Sequence, residues 1–280
     1  MNVKSKRVLL TTGRGIILIF FLLLVVFPLY WILNTSLKTH PEIVNAQVIT
    51  LYPHTFTWDN YISLFRQLNY GRYLWNSTLV SMTAAVAVVI LALLGGYAMA
   101  RFKFKGKDAV IIFVLITQMV PTLLVIIPLY LWFSKMNLIN TYLCMIIYYI
   151  VTNVPFCLIT MRSFFERIPY TLEEASWIDG CTRMAGLIRI ILPSMIPAIV
   201  AVFAFAFIGA WNELIGATIF LNTQDMWTIP VGLKSLIGKN DVKWGQLMAG
   251  AILGLLPTGI MFLFVQKYIV SGLTAGAVKE

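Results

Sequence analysis

Six stretches of the chain, at 16–37, 73–100, 109–133, 136–161, 194–220 and 246–266, are each long and apolar enough to cross a bilayer. A helix needs about 20 such residues to traverse a hydrocarbon layer of roughly 30 Å. Five of the six contain no Asp, Glu, Lys or Arg, and the stretch 194–220 holds one charge, Glu213. In lipid every backbone N–H and C=O must be paired within the protein, which for runs of this length means helix. The expectation is an all-α integral membrane protein with six transmembrane helices. Only 11% of the 280 residues are charged, against about a quarter in a soluble domain. Lipid, rather than one buried core, must therefore receive most of the apolar surface.

The formal net charge of +10 does not point to nucleic acid, because the basic residues are dispersed between apolar runs. Basic residues beside membrane spans set orientation. With the N-terminus inside, the inner segments carry fourteen Lys and Arg: four at 4–14, four at 101–107, Arg162, Arg167, Arg183, Arg189, Lys267 and Lys279. The outer segments carry seven: Lys38, Arg66, Arg72, Lys135, Lys234, Lys239 and Lys243. Both termini are thus expected on the cytoplasmic side of the membrane. Trp31, Trp75, Trp132, Trp227 and Trp244 fall at predicted outer helix ends, where amphipathic rings favour the interface.

The division that follows is a cytoplasmic segment 1–15, a membrane domain 16–270 and a cytoplasmic tail 271–280. Lys4, Lys6, Arg7 and Arg14 resemble the basic start of a signal peptide, but the apolar run is too long and no small-x-small site follows it. It is expected to stay as an anchor. In the outer loop 38–72, Trp58, Tyr61, Ile62, Phe65 and Leu68 fall at helical spacing after Thr57. That pattern suits a short helix lying on the membrane surface, or a docking surface for an external protein.

Neither cofactor nor metal is expected. Cys144, Cys157 and Cys181 have no CxxC spacing, and His40 and His54 share one polar loop without further ligands. No G-x-x-x-x-G-K-[ST] occurs, so nucleotide phosphates are not cradled by that route. Paired intramembrane charges, usual in an ion-coupled carrier, are also missing from the sequence. Clustered His, Asp or Glu at membrane depth, needed by an embedded enzyme, are likewise lacking. Energy for any transport must come from elsewhere.

The inner loop 162–193 is where it could enter. Thr171 and Glu174 form a T-x-x-E capping box, and Gly180 can take the left-handed conformation that ends a helix. The prediction is a two-turn helix over about 172–179. So short a helix is marginal alone in water and needs a surface to pack on. Leu172, Ala175, Ser176 and Asp179 share one face, and the small pair Ala175 and Ser176 permits close approach.

These residues carry a resemblance. Glu174-Ala175-Ser176, then Gly180, then Ile190-x-Leu192-Pro193 resembles the E-A-A, G, I-x-L-P loop of binding-protein-dependent ABC permeases, with Ser176 where a second Ala is usual. Trp211-Asn212-Glu213 is similar to a W-N-E segment of carbohydrate permeases, and 271–279 is similar to the C-terminal tail of MalG-type subunits. The resemblance covers essentially the whole chain. It implies the type I ABC importer permease fold, with the short helix as a coupling helix docked in a groove of a cytoplasmic ATPase dimer. Glu174, Ala175, Ser176, Asp179 and Gly180 would then be coupling residues. The implied partners are a second homologous permease, forming a heterodimer, the ATPase pair, an external solute-binding protein and a sugar. Oligosaccharides lead, ahead of polyols and sugar phosphates; a stand-alone secondary carrier is the alternative from another class.

The solute pathway is less defined. Glu213, about 10 Å deep at 1.5 Å per residue, could bind sugar hydroxyls or line a gate with Asn212 beside it, or hydrogen-bond a neighbouring helix or the partner permease. Gln118 and Asn153 lie inside the third and fourth stretches, where polar residues join helices or meet solute. Pro121, Pro128, Pro155, Pro197 and Pro257 are expected to kink their spans.

Overall fold

The computed structural model describes residues 3–45, 49–238 and 241–275, with the backbone alone for 3–11 and 269–275. The helices are α1 (Val3–Ser36), α2 (His40–Val44), α3 (Asp59–Leu68), α4 (Tyr70–Arg101), α5 (Lys107–Met119), α6 (Thr122–Lys135) and α7 (Tyr142–Arg167). They continue as α8 (Thr171–Ile178), α9 (Arg183–Gly186), α10 (Leu192–Ser194), α11 (Ile196–Trp211), α12 (Ile215–Phe220), α13 (Ile229–Lys234) and α14 (Trp244–Ala275). A π-helical turn, Leu187–Ile191, runs between α9 and α10. Among the described residues the only extended pairing is an isolated bridge between Ile237 and Val242.

Among the described residues, four helical segments are long and apolar enough to cross a membrane singly: Thr12–Ser36, α4, α7 and Trp244–Tyr268. Two bent pairs bring the number to six if each crosses once. In the first, α5 and α6 meet at 99°; in the second, Arg183–Ser194 meets α11 at 77°. The sequence counted the spans but treated 109–133 as one kinked helix. Pro121 supplies no N–H and drives Val120 into extended backbone, φ −78° and ψ 123°, so the helix stops and restarts. Pro197, in the first turn of α11, lies just past the second bend. Pro128, Pro155 and Pro257 lie inside helices that run on unbroken.

Two further boundaries differ from expectation. The fourth span starts at Tyr142 rather than 136, because Asn137 and Asn140 adopt left-handed backbone, φ 55° and 63°, and Thr141 caps α7 by accepting from the Cys144 N–H. The fifth stretch is interrupted at Asn212–Leu214, so that α11 and α12 are separate helices.

The chain divides into two compact units, Met1–Tyr70 with Leu233–Leu255, and Gly71–Gly232 with Leu256–Glu280. In the first, α3 packs between the end of α1 and the start of α14. The Asn60 amide donates to the carbonyls of Ser36 and Lys38 at 2.9 and 2.8 Å, closing the C-terminal end of α1. Tyr70 Oη donates to the Gly250 carbonyl at 2.7 Å, and Leu64 is fully buried. The helix expected after Thr57 is therefore present, and it leaves Ile62 and Phe65 exposed.

In the second unit α7 is central, with buried Cys144, Met145, Tyr148 and Tyr149 packed on Ala210, Ala217 and Phe220. Close approach is built into the partners. A Cβ at Gly216 would overlap the Tyr148 ring, and one at Gly96 would lie 2.9 Å from the Arg162 backbone nitrogen. The latter contact brings α4 against the Arg167 end of α7.

Candidate functional site

The helix α8 is present almost where the sequence places it, but it begins differently. Thr171 is its first helical residue rather than its cap, and Tyr170, in helical backbone, precedes it without a side-chain cap. The chain enters through a turn at Pro169, whose carbonyl accepts from Leu172 N–H, while the Tyr170 carbonyl accepts from Glu173 and Glu174. The T-x-x-E box is not formed. The exit matches expectation: Gly180 has φ +84°. Cys181 N–H donates to the Ser176 carbonyl and Gly180 N–H to the Trp177 carbonyl, at 2.9 and 3.0 Å, the paired bonds of a Schellman end.

One side of α8 is anchored within the chain. Glu173 is buried and its Oε1 lies 2.5 Å from Arg101 Nε, the guanidinium being only 9% exposed. Tyr97 Oη donates to the other carboxylate oxygen at 3.2 Å, and Arg101 Nη2 donates to the Ile168 carbonyl at 2.9 Å. Ser176 is also buried: a Cβ on Gly186 would stand 2.5 Å from its Oγ. The small residue thus lets α9 approach α8 and is not presented outward, a correction to its expected place on the docking face. Arg183 lies 4.9 Å from the Trp177 ring.

The opposite side is open. Glu174, Ala175, Asp179 and Gly180 are exposed, with Leu172 at 45% and Ile178 at 86%. Glu174 has no side-chain hydrogen bond or ion pair among the described residues. Since it does not cap the helix either, its local role is that of a first-turn carboxylate favoured by the helix dipole. Full burial of a Leu or Ile side chain is worth about 1.5–3 kcal/mol each, so this face can contribute substantially to binding a complementary surface.

The polar residues of the spans are not gathered into one place. Glu213 follows α11, and its carboxylate accepts from the N–H groups of Gly216 and Ala217 at 2.7 and 3.0 Å and from Tyr148 Oη at 3.4 Å. It closes the start of α12 and ties it to α7. Asn212 beside it is exposed, whereas Trp211 is buried and stacked on Phe207. Asn153 donates to the Tyr149 carbonyl at 2.8 Å, and its Oδ1 would be 2.8 Å from a Cβ on Gly209, so it sits in the α7–α11 seam. Gln118 is exposed at the break between α5 and α6. There it lines a cavity of about 390 Å³ with Thr117, Val120, Thr122, Val125, Val151, Thr152 and Pro155. Its amide has no hydrogen-bond partner among the described residues.

A larger cavity, about 570 Å³, lies in the first unit between Trp31, Lys38, Glu42, Asn45, Thr50 and Trp244. Partial burial pushes the Glu42 carboxyl up. Donation from His54 N–H and Thr50 Oγ1, a backbone bond to Thr55 and the nearby Lys38 charge outweigh this and hold it below the usual carboxylate range. Nothing in the sequence signals this arrangement, because its members come from the ends of α1 and α14, the short α2 and the loop that follows it.

The family model described as "Binding-protein-dependent transport system inner membrane component" matches residues 92–275, which include α8 and both bent pairs. The chain belongs to this family. It is a multi-pass membrane component, not a catalytic subunit. The sulfoquinovosyl glycerol transport system permease protein SmoH of Agrobacterium fabrum is 34% identical over 90% of this chain and 88% of its own length. The trehalose/maltose transport system permease protein MalG of Thermococcus litoralis is 33% identical over 98% and 97%. The diacetylchitobiose uptake system permease protein DasC of Streptomyces coelicolor is 33% identical over 91% and 92%. A chain from a bacterial ABC transporter that imports the acidic polysaccharide alginate superposes with TM-score 0.81 over 96% of this chain and 99% of its own, at 19% identity. The family's permease fold is therefore shared.

What the sequence missed at this site is the inward half of α8. Glu173 stands beside the recognised Glu174 without a mark of its own. Arg101 reads as one more basic residue at a span end, 72 positions away. The C-terminal tail falls partly outside the described residues: 271–275 continue α14, and 276–280 are not described.

Proposed function

We propose that this permease component forms half of the pathway of an ATP-driven importer for a neutral oligosaccharide and receives ATPase motion through α8. The observation that carries the reading is the outward face of Leu172, Glu174, Ala175, Ile178 and Asp179, exposed and unpartnered among the described residues on a helix closed at Gly180. A groove on an ATPase is its occupant, and Glu174 meets a polar group there. A second, homologous permease completes the pathway, and an external binding protein delivers the solute. On this reading α8 and both termini face the cytoplasm.

Neutral sugar is favoured over sugar phosphate or another anion by charge. The six apolar stretches contain no Lys or Arg, and their one charge, Glu213, is negative. An anionic solute crossing a low-dielectric site would need paired cations. Gln118, with Thr117, Thr122 and Thr152 around it, instead offers neutral donors and acceptors suited to hydroxyls. Asn212 is assigned to the pathway, while Asn153 joins α7 to α11. Glu213 acts on the pathway only by holding α12.

Tagging the chain, solubilising native membranes gently and identifying co-purifying proteins tests the reading. A second multi-span permease and a nucleotide-binding ATPase are expected. Recovery of the chain alone, or as a homodimer without ATPase, would replace the importer with a stand-alone carrier.

A further inference from the structure

Two adjacent glutamates of α8, about 100° apart around the helix, have different surroundings. Glu174 is exposed and has no side-chain partner among the described residues, while Glu173 is buried and engaged at both carboxylate oxygens. Its main partner, Arg101, is the last residue of the 32-residue α4, where a cation is also favoured by the helix dipole. The guanidinium is fixed from three directions: Nε on Glu173 at 2.5 Å, Nη2 on the Ile168 carbonyl at 2.9 Å, and its carbon 5.7 Å from the Tyr170 ring. It therefore grips α8, the α7–α8 joint and the entry turn at once. Tyr97, one turn earlier on α4, adds its hydroxyl at 3.2 Å and packs its ring 5.4 Å from Phe165 of α7.

We propose that the Arg101–Glu173 pair is the strut through which displacement of α8 enters the membrane spans, making α8 move as one body with α4. This rests on the reading of α8 as the ATPase-docking helix. Apart from the strut, α8 is joined to its neighbours by the short turns at 168–170 and 179–182 and by its packing on α9, at Ser176 and Gly186, and on the π-helical turn Leu187–Ile191, none of which ties it to α4. A buried ion pair is a poor choice if stability is the sole requirement, because well-packed apolar residues do as well or better. What it adds is direction: planar, charge-assisted bonds hold one geometry and resist sliding. From α4 the motion has a rigid continuation, since Gly96 lets α4 lie directly on the backbone of α7 at Arg162. Farther along, α7 carries the Tyr148 that holds Glu213. Arg101 and Glu173 are thus positioning residues, acting on solute only through the helices they join.

The test uses the complete importer, reconstituted with partner permease, ATPase and binding protein, and reads sugar transported per ATP hydrolysed at equal assembly. Glu173→Gln keeps the shape and removes the charge. It is expected to leave ATPase co-purification intact and to lower the ratio about tenfold, within the usual range for coupled sites. An unchanged ratio in an assembled complex overturns the strut. A second arm replaces both residues by Cys, with Cys181→Ser, and bridges them with a bis-methanethiosulfonate reagent, each thiolate displacing methanesulfinate to leave a reducible disulfide. Bridging should raise the ratio and reduction should lower it again. If bridging leaves the ratio unchanged, or blocks transport until reduced, α8 works independently of α4 and the proposal fails. The underlying docking reading is checked separately by cross-linking Ala175→Cys to the ATPase. Its failure removes that contact whatever the state of the strut.

Discussion

Glu173 and Glu174 differ by one position and about 100° around a helix, and that rotation separates an internal anchor from a docking group. Replacing Glu174 by Arg removes no internal contact. Stability of the solubilised chain should therefore fall by only about 1 kcal/mol, through the first-turn dipole, while ATPase co-purification and uptake fall. Normal uptake by this variant would remove Glu174 from the docking face. Glu173→Ala should instead cost about 3–5 kcal/mol, since it strands a buried guanidinium. The Ser176–Gly186 contact makes a second residue-scale prediction. Gly186→Ala places a methyl 2.5 Å from Ser176 Oγ but 3.4 Å from its Cβ. It should destabilise by about 1–3 kcal/mol through overpacking, and Ser176→Ala in the same chain should recover most of that. A double variant no more stable than Gly186→Ala alone would mean that the clash is with something other than the hydroxyl.

At the scale of elements, the informative places are where helices stop. The carboxylate of Glu213 takes two N–H groups of α12, and the amide of a Gln offers one acceptor oxygen in their place. Glu213→Gln should therefore lower the melting temperature of the protein and leave KM for the sugar unchanged; a raised KM with unaltered melting would put Glu213 in contact with solute. The loop segment around 50–54 depends on Glu42 in the same way. Because its folded pKa lies below the ordinary carboxylate value of about 4.3, ionised Glu42 stabilises the loop above that value, and the contribution is lost as pH falls through the folded pKa. Amide protection factors across 49–55, corrected for the intrinsic pH dependence of exchange, should be flat from pH 8 to 5 and fall below, and Glu42→Gln should flatten the profile. The sequence made the spans legible because charge-free runs of span length have few alternatives. It made α8 legible because Gly180 and the spacing to Pro193 are local. The break at Pro121 was only half legible: Pro128, Pro155 and Pro257 are equally proline, and tertiary packing decides which helices run on. The inward side of α8 was not legible at all, since pairing Glu173 with Arg101 requires knowing that α4 ends beside it.

For the molecule as a whole, the arrangement proposed above depends on orientation. The basic residues divide fourteen to seven in favour of the side that bears α8, and such a bias in short loops sets which face remains in the cytoplasm. The long, apolar α1 strengthens the point. Residues 16–27 are all exposed, so its insertion is directed by lipid and flanking charge rather than by packing within this chain, and in the proposed orientation Lys4, Lys6, Arg7 and Arg14 lie on the inner side of its start. A chain inserted the other way would present Leu172, Ile178 and Glu174 to the exterior, where no nucleotide-driven motion is available, and would turn α3, with exposed Ile62 and Phe65, away from any external binding protein. Single cysteines in a variant lacking Cys181 decide between the two. Ala175→Cys should react with a membrane-impermeant maleimide in inside-out vesicles and not in intact spheroplasts, and Tyr52→Cys, on the exposed part of the loop between α2 and α3, should do the reverse. Labelling of Ala175→Cys from the outside would defeat the docking assignment even though the fold remained correct, because an ATPase can only push on the face it can reach.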